Sequence, residues 1–290
     1  MMKASKTLLA SLASGLALAL TLGAAPALAA GGAKHPEEPR GGFSFAGPFG
    51  TFDQRQLQRG YKVYKEVCAS CHSMSLLSFR DLGLRGGPFW FERYPNANEN
   101  PYVKAIAGEF EVDDLDTETG DTIKRKATPA DRFPSPYPNA IAAAAGNGGA
   151  APPDLSVMAK ARHNGPAYIY SLLVGYRNPP AGLRMGPGQY YNPYFPGDLA
   201  SYWSGDKHHV PQGGFTAMPP PLTSEGQVTY DDGTRATVPQ MAADVAAFIA
   251  WASEPKQTER KSLGVAVMIY LALFALLTWF SYRRIWKDAH

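Results

Sequence analysis

The chain has 290 residues, enough for one large domain or two small ones, of which 45% are apolar and 18% are charged. This composition is typical of a folded protein and excludes a chain that is disordered throughout. A formal net charge of +3 gives no basic footprint, so we set aside a nucleic-acid-binding role.

Residues 1–30 are predicted to be a cleaved secretory signal sequence. Lys3 and Lys6 precede an apolar run, which ends in the small-residue pattern ALA at residues 27–29. A retained N-terminal anchor is the alternative, but the apolar core is short and rich in alanine. The mature chain is therefore expected in an oxidising compartment outside the cytoplasm.

Residues 51–68, TFDQRQLQRGYKVYKEVC, are predicted to form a helix after an arm rich in Gly and Pro. Thr51 and Gln54 form a capping-box pattern, and apolar residues recur at helical spacing. Gly60 in the helix interior costs about 1 kcal/mol relative to alanine. We therefore expect another helix to pack closely at that point.

Cys68, Cys71 and His72 form a Cys-x-x-Cys-His motif at the end of this helix, and the chain has no further cysteine. A thioredoxin-like redox dithiol would follow a strand, and a structural zinc site would need more ligands. The motif is typical of covalent c-type haem, in which both thiols bond to the vinyl groups and the histidine binds the iron. We predict one haem c, attached through two thioethers.

Two charged segments follow the motif. Residues 109–121, EFEVDDLDTETGD, contain seven acidic residues and no basic one. They form either a solvated loop or a negative patch that attracts a basic redox partner. In the segment KARH, Arg162 is either an exposed helix residue or the partner of a haem propionate.

Several further elements are predicted from residue 155 onward. Residues 155–176 read as two helices broken at residues 164–166. The Asp-Gly turn in QVTYDDGTRATV, residues 227–238, predicts a small hairpin. Residues 237–255 predict a helix with a capping box at its start and a proline at its end. Residues 85–150 and 176–221 are predicted to be long loops.

A second iron ligand is sought among the methionines, because a thioether raises the potential of an electron-transfer haem. Four are excluded because they lie too close to His72, in helical patterns or in the apolar C-terminal segment. These are Met74, Met158, Met241 and Met268. Met218 is favoured over Met185 because three prolines stiffen the loop that follows it. The bis-histidine alternatives are His163, His208 and His209.

Residues 262–282 are predicted to be a transmembrane helix. Residues 263–280 are 18 consecutive residues without a formal charge, about the minimum needed to cross ~30 Å of hydrocarbon. Because the signal sequence delivers the N-terminal part outside, residues 31–261 are predicted to be one external domain. Residues 283–290 are then a short cytoplasmic tail.

Five ordered segments carry a resemblance to a known family. They are GPFGTFDQRQLQRGYKVYKEVCASCHSM, PPDLSVMAKARH, YYNPYFPG, AMPPPLTSEGQVTYDDGT and DVAAFIAWASEPK, followed by the apolar C-terminal segment. On these motifs the chain resembles the cytochrome c1 family, the haem c subunits of ubiquinol–cytochrome c reductase (cytochrome bc1) complexes, in its alphaproteobacterial form.

The resemblance implies a mainly α fold, with a class I cytochrome c-like haem domain, long loop insertions and one C-terminal transmembrane helix. The family's proximal histidine corresponds to His72 and its axial methionine to Met218. Its propionate-binding arginine corresponds to Arg162 and a haem-pocket asparagine to Asn147.

The resemblance also implies partners and a location. Electrons would come from the Rieske iron–sulfur protein and pass to a soluble or tethered cytochrome c, beside a cytochrome b subunit in a dimeric complex. The haem domain would lie in the periplasm, anchored by a single span among the lipids of a bacterial inner membrane.

One departure from the family concerns the loop that carries Met218. Several bacterial relatives brace it with a disulfide, whereas both cysteines here are used for haem, and residues 198–214 are inserted relative to shorter mitochondrial forms. Aromatic packing is the expected substitute. The residues concerned are Tyr190, Tyr191, Tyr194, Phe195 and Trp203.

Two other functions remain open from the residues. A free-standing membrane-anchored cytochrome c shuttle would need a long flexible linker, but only EPKQTERK separates the late helix from the span. A ligand-sensing haem protein would need an open iron site.

Overall fold

A computed structural model describes residues 32–287, so the predicted signal sequence at residues 1–30 lies outside the described residues. The described part has seven α-helices and two small antiparallel sheets, and the predicted mainly α class is confirmed. The helices are α1 (Gln54–Val63), α2 (Pro101–Gly108), α3 (Ala140–Gly146), α4 (Met158–Ala161), α5 (Gly165–Val174), α6 (Val238–Ser253) and α7 (Gln257–Ile285). Strand β1 (Glu111–Leu115) pairs with β2 (Thr122–Lys126), and β3 (Tyr190–Asn192) pairs with β4 (Gly214–Thr216).

The core forms around α6, which packs against α1, α4 and α5. Gly60 of α1 lies at the crossing with α6. A Cβ atom there would stand 2.1 Å from the Asp244 carbonyl oxygen and 2.7 Å from the Phe248 Cβ. The close helix approach predicted from Gly60 is therefore confirmed.

A buried ion pair lies at the same crossing. The Asp244 side chain is fully buried, and its carboxylate accepts hydrogen bonds from Arg59 Nε at 3.0 Å and Gln240 Nε2 at 2.9 Å. Burial raises the pKa of Asp244, although Arg59 opposes this rise. Because an unpaired charge here would be costly, the pair fixes the register of α1 on α6.

The two predicted capping boxes differ in outcome. For α1 the prediction was wrong: Asp53 is the N-cap, and its carboxylate accepts the Gln56 N–H at 2.8 Å. For α6 the Thr237 hydroxyl accepts the Gln240 N–H at 3.2 Å, which confirms the N-cap, but the reciprocal bond of a capping box is not formed because the Gln240 side chain donates to Asp244. A carboxylate and a hydroxyl both serve as N-caps, and Asp53 lies closer to the first helical residue than Thr51 does.

The predicted break near residue 164 is confirmed, because α4 and α5 are separated there and Asn164 has a φ of 58°. The hairpin predicted at residues 227–238 is wrong. This segment has no strand and forms a loop, closed by a 2.8 Å bond from the Gly226 N–H to the Ala236 carbonyl. Its Asp231 and Asp232 pair with Lys62 and Arg59 of α1. A hairpin forms instead in the acidic segment, as β1 and β2.

Residues 176–217 contain a second, smaller apolar core, which we call the satellite cluster. Leu183, Tyr191 and Leu199 are buried there, with Trp203, Val210 and Phe215 packed against them. Of the aromatic residues expected to brace the insertion, Tyr191 and Trp203 belong to the cluster. The inserted residues 198–214 thus contribute apolar side chains of their own and lead directly into β4.

α7 is the only helix within residues 32–287 that is long and apolar enough to cross a membrane, judged by its length and composition. Three residues, 254–256, separate it from α6. Lys261 Nζ donates hydrogen bonds to the carbonyl oxygens of Phe45 at 2.6 Å and Gly50 at 3.2 Å. The start of α7 is therefore bonded to the N-terminal segment of the domain as well as being continuous with α6.

Candidate haem-attachment site

The Cys-x-x-Cys-His loop begins where α1 changes its winding. α1 continues as a π-helical turn over Tyr64–Cys68, in which the Ala69 N–H donates to the Tyr64 carbonyl at 2.8 Å. Such turns occur frequently at functional sites. The N–H groups of Cys71 and His72 then both donate to the Cys68 carbonyl, at 3.1 and 2.9 Å. This tight turn brings the three side chains of the motif together at one helix end.

Both cysteines are half-buried and are not joined in a disulfide. Burial raises the pKa of the Cys68 thiol to about 12. A redox-active dithiol needs a thiolate with a lowered pKa. The environment of Cys68 therefore opposes the thioredoxin-like alternative.

His72 is oriented by a single hydrogen bond. Its Nδ1 lies 2.8 Å from the carbonyl oxygen of Pro153. Because a carbonyl only accepts, Nδ1 must carry the proton, which leaves Nε2 with a free lone pair. Burial lowers the pKa of His72, so the ring is held in this neutral form. The arrangement is that of a metal-ligating histidine whose second nitrogen is bonded to a backbone carbonyl.

Asp154 fixes the segment that supplies this carbonyl, and it was missed by the sequence analysis. Its carboxylate accepts hydrogen bonds from the Ser73 hydroxyl at 2.8 Å, the Ser75 N–H at 2.9 Å and the Ser156 N–H at 2.7 Å. Burial alone would raise the pKa of Asp154, but these hydrogen bonds outweigh it and hold the pKa well below its usual range. The only signal in the sequence was the Asp-x-Ser turn pattern.

Met218 lies half-buried in the loop directly after β4. Its N–H donates to the Thr216 hydroxyl at 3.1 Å, and its carbonyl accepts from the Tyr176 hydroxyl at 3.0 Å. Met185, its rival, is 43% exposed on another loop. Met74 and Met241 are fully buried in the main core, which agrees with their exclusion as ligands.

The three candidate histidine ligands are exposed. His163 lies between α4 and α5, and His209 Nδ1 is bonded to Asp206 at 2.7 Å, while His208 is its neighbour. Among residues 32–287, no group of three or more His, Cys, Asp and Glu side chains is placed to hold a metal ion. The structural-zinc alternative therefore gains no support from the described residues.

Arg162 and Asn147 lie at the two ends of the segment that carries Pro153. Arg162 is exposed, and in the part of the chain described its guanidinium donates to the Ala161 carbonyl at 3.2 Å and makes no ion pair with a carboxylate. Asn147 Nδ2 donates to the Ala143 carbonyl at 2.7 Å and to the Tyr137 hydroxyl at 3.1 Å. Arg162 thus has donors free for an anion, whereas the Asn147 donors are used to close the end of α3.

The acidic segment is largely neutralised by its own hairpin. Cross-strand pairs join Asp113 to Lys124, Asp114 to Arg125 and Glu111 to Lys126, and Lys65 of the π-helical turn pairs with Glu109. Asp116, Glu118 and Asp121 at the tip are the remaining acids. The negative patch is therefore weaker than the seven acidic residues suggested.

These residues fit a covalently bound c-type haem. Two unpaired thiols adjoin in the chain an imidazole whose Nε2 is free, a thioether is held on a hydrogen-bonded loop, and the exposed Arg162 guanidinium is bonded to no carboxylate among the described residues. Thiol, imidazole and thioether are the donors that haem c uses. Arg162 has the fork geometry that suits a propionate.

Comparisons with known proteins identify the family to which this chain is similar. Residues 43–289 match the profile described as the Cytochrome C1 family. "Cytochrome c1" of Rhodospirillum rubrum is 39% identical in an alignment 295 residues long, gaps included, that covers 96% of each chain. "Cytochrome c1-2, heme protein, mitochondrial" of Solanum tuberosum is 44% identical, over 91% of each chain. "Cytochrome b/c1" of Bradyrhizobium diazoefficiens is 43% identical over 87% of this chain, which spans only 36% of that longer protein.

Proposed function

Because the chain belongs to the cytochrome c1 family, we propose that it is the electron-transfer subunit of a ubiquinol–cytochrome c reductase complex. In this role it takes electrons from a Rieske iron–sulfur protein and passes them to a soluble or tethered cytochrome c. The chain is an electron carrier, and the reductase activity belongs to the complex as a whole. Bound haem iron would supply the one-electron couple.

The protein's own residues attach, orient and shield the cofactor. Cys68 and Cys71 would supply the two thioether bonds to a haem, and His72 Nε2 would bind its iron. The Met218 thioether would be the second iron ligand, and it would favour a higher potential than a second imidazole. Arg162 would pair with a propionate, and Asn147, whose amide donors are bonded to Ala143 and Tyr137, would line the pocket.

The observation that carries this proposal is the 2.8 Å contact between His72 Nδ1 and the Pro153 carbonyl, beside two unpaired thiols. It leaves Nε2 available for iron at the position that covalent attachment to Cys68 and Cys71 would dictate. The test is a peroxidase stain of the denatured full-length chain on a gel. We expect a stained band in the wild type and none in Cys68→Ser/Cys71→Ser. An unstained wild-type chain from cells that make c-type haem would refute the assignment.

We further propose that α7 anchors the chain in a bacterial inner membrane as a single span. Residues 31–261 then form the periplasmic haem domain, 262–282 the span and 283–290 the cytoplasmic tail, after cleavage of residues 1–30. Trp279 and Tyr282 are exposed on the last turns of α7, and Trp286 is exposed directly after it, as suits an interfacial belt. Protease added to intact spheroplasts should degrade the haem domain. If the haem domain is protected, the proposed orientation is wrong and the domain faces the cytoplasm.

The shuttle remains the competing function, and the three-residue connection between α6 and α7 opposes it. Purification in mild detergent separates the two. We expect a cytochrome b subunit and an iron–sulfur protein to co-purify, in a complex of dimeric mass, whereas isolation as a lone chain would favour the shuttle. Carbon monoxide added to the reduced protein tests the ligand-sensing function, because a six-coordinate His–Met haem should barely respond.

A further inference from the structure

Both polar backbone groups of Met218 are bonded to side chains. The Met218 N–H donates to the Thr216 hydroxyl at 3.1 Å, and the Met218 carbonyl accepts from the Tyr176 hydroxyl at 3.0 Å. The following residue is Pro219, which biases Met218 towards an extended conformation. Met218 therefore has little conformational freedom, although it lies in a loop.

The two side chains belong to segments that are themselves fixed to each other. Thr216 is 6% exposed and ends β4, which pairs with β3. Asn192 of β3 is fully buried, and its Nδ2 donates to the Leu172 carbonyl of α5 at 2.8 Å. Tyr176 follows directly after the end of α5. The sheet and α5 thus hold Thr216 and Tyr176 in one rigid unit.

Gly175 shows how closely these segments approach. A Cβ atom at this position would stand 2.8 Å from Asn192 Oδ1 and 2.6 Å from a ring carbon of Tyr194. The end of α5 therefore lies directly against the residues around β3. A rotation of α5 that moved the Tyr176 hydroxyl away from Met218 would collide with this contact.

Tyr176 is half-buried, and its hydroxyl donates to the Met218 carbonyl at 3.0 Å. The satellite cluster, to which the inserted residues 198–214 contribute Leu199, Trp203 and Val210, packs against β4 through Phe215.

We propose that Tyr176 and Thr216 are positioning residues for the Met218 ligand. They clamp the Met218 backbone from both sides and so hold the thioether in place, in a chain where both cysteines are assigned to haem attachment. This inference rests on the proposed function, because it requires Met218 to bind the iron. Two hydroxyl groups would then brace the loop that carries Met218. A disulfide cannot do so, because both cysteines are assigned to haem attachment.

The test compares Tyr176→Phe and Thr216→Val in the purified holoprotein. Each removes one hydroxyl and retains the shape of the side chain. We expect the far-red absorption band of the ferric, methionine-ligated haem to weaken. Carbon monoxide should bind the reduced form at least tenfold faster than in the wild type. Thr216→Ser keeps the hydroxyl and should restore both properties.

A matched control is Tyr194→Phe, which retains the ring that lies against Gly175 and removes only a hydroxyl bonded to Glu37 at 2.8 Å and Lys34 at 3.0 Å. It should leave the band and the carbon monoxide rate unchanged. An equal effect in Tyr194→Phe, or wild-type behaviour of both clamp variants, would overturn the clamp. If Met218→Leu itself leaves the spectrum unchanged, the axial-ligand assignment fails, and the two failures are thereby distinguished.

Discussion

In the proposed function, the Met218 thioether is the residue-scale feature that sets the haem potential. Replacing Met218 with leucine removes the sulfur ligand and keeps a similar volume. We expect the midpoint potential to fall by on the order of 0.1 V, within the ~0.8 V range that axial ligands span. The open iron should then bind carbon monoxide. Met185→Leu is the control, because that side chain is exposed on another loop.

Asp154 makes a prediction about stability and pH. Asp154→Asn replaces an acceptor oxygen that receives the Ser73 and Ser75 bonds, so we expect a loss of about 1–3 kcal/mol in the free energy of unfolding. The folded-state pKa is depressed relative to about 3.9 in the unfolded chain. The stabilisation is therefore complete above about pH 4 and is lost as the pH falls further.

Unfolding measured against pH in both proteins tests this expectation. The wild type should lose its advantage over Asp154→Asn as the pH falls below about 4. If the unfolding free energies of the two proteins run parallel at every pH, the charge of the Asp154 carboxylate contributes nothing to stability.

At this scale the sequence predicts best what is local. The spacing of Cys68, Cys71 and His72 is a chemical signature in itself. The hydrogen bond that orients His72 comes from Pro153, which is 81 positions away in the chain. No local sequence pattern identifies such a contact. Asp154 was missed for the same reason, and the hydroxyl partners of Met218 became visible only once α5 and β4 were placed together.

At the scale of elements, the crossing of α1 and α6 makes the sharpest prediction. Gly60→Ala would place a Cβ atom 2.1 Å from the Asp244 carbonyl oxygen. The helices must separate, and overpacking of this kind costs about 1–3 kcal/mol or more. This exceeds the gain of about 1 kcal/mol in helix propensity. We expect a Tm lower by about 2–8 °C.

Gly108→Ala, at the end of α2, supplies the control for this experiment. No atom lies within 4 Å of the Cβ position there, so the Tm should be unchanged or slightly higher. A Gly60→Ala protein as stable as Gly108→Ala would mean that α1 and α6 are not in close contact in solution.

The β1–β2 hairpin predicts that removing its lysines, unlike removing its acids, speeds electron transfer to a basic partner. Lys124→Gln/Lys126→Gln removes two cations that pair with Asp113 and Glu111. The unmasked carboxylates should raise the rate of electron transfer to a basic cytochrome c roughly two- to tenfold at low ionic strength, with a steeper salt dependence. Lys104→Gln, whose partner is Glu99 on another element, should change neither. Rates that do not respond to salt in any variant would remove the hairpin from partner recognition.

Helix patterns were predicted well where periodicity and caps were clear, but the loop prediction for residues 85–150 was wrong, because α2 and α3 form there. Gly60 and the break near residue 164 were interpreted correctly because helical periodicity and glycine sterics are local. The two sheets were missed. β1 and β2 are polar strands whose cross-strand charge pairs leave no apolar alternation, and an Asp-Gly turn elsewhere was mistaken for a hairpin, although its acids bind α1.

At the scale of the whole molecule, the domain and its anchor can be tested as one body. Inserting one alanine between Ser262 and Leu263 would turn α7 by about 100° relative to the domain. We expect the haem spectrum and potential to be retained, while turnover of quinol by the purified complex is largely lost. Inserting four alanines, about one helical turn, should recover part of it. Normal turnover after the single insertion would show that the connection bends.

The bonds from Lys261 to Phe45 and Gly50 fix the direction of α7 relative to the domain. A carrier on a flexible tether can turn any side towards its neighbours, but here the domain is bonded to α7. In the proposed membrane orientation, the number of residues between α6 and the span would set the direction in which the haem edge faces around the membrane normal. The proposed electron donor and acceptor would then have to approach a haem that does not turn, from directions set by the length of this connection.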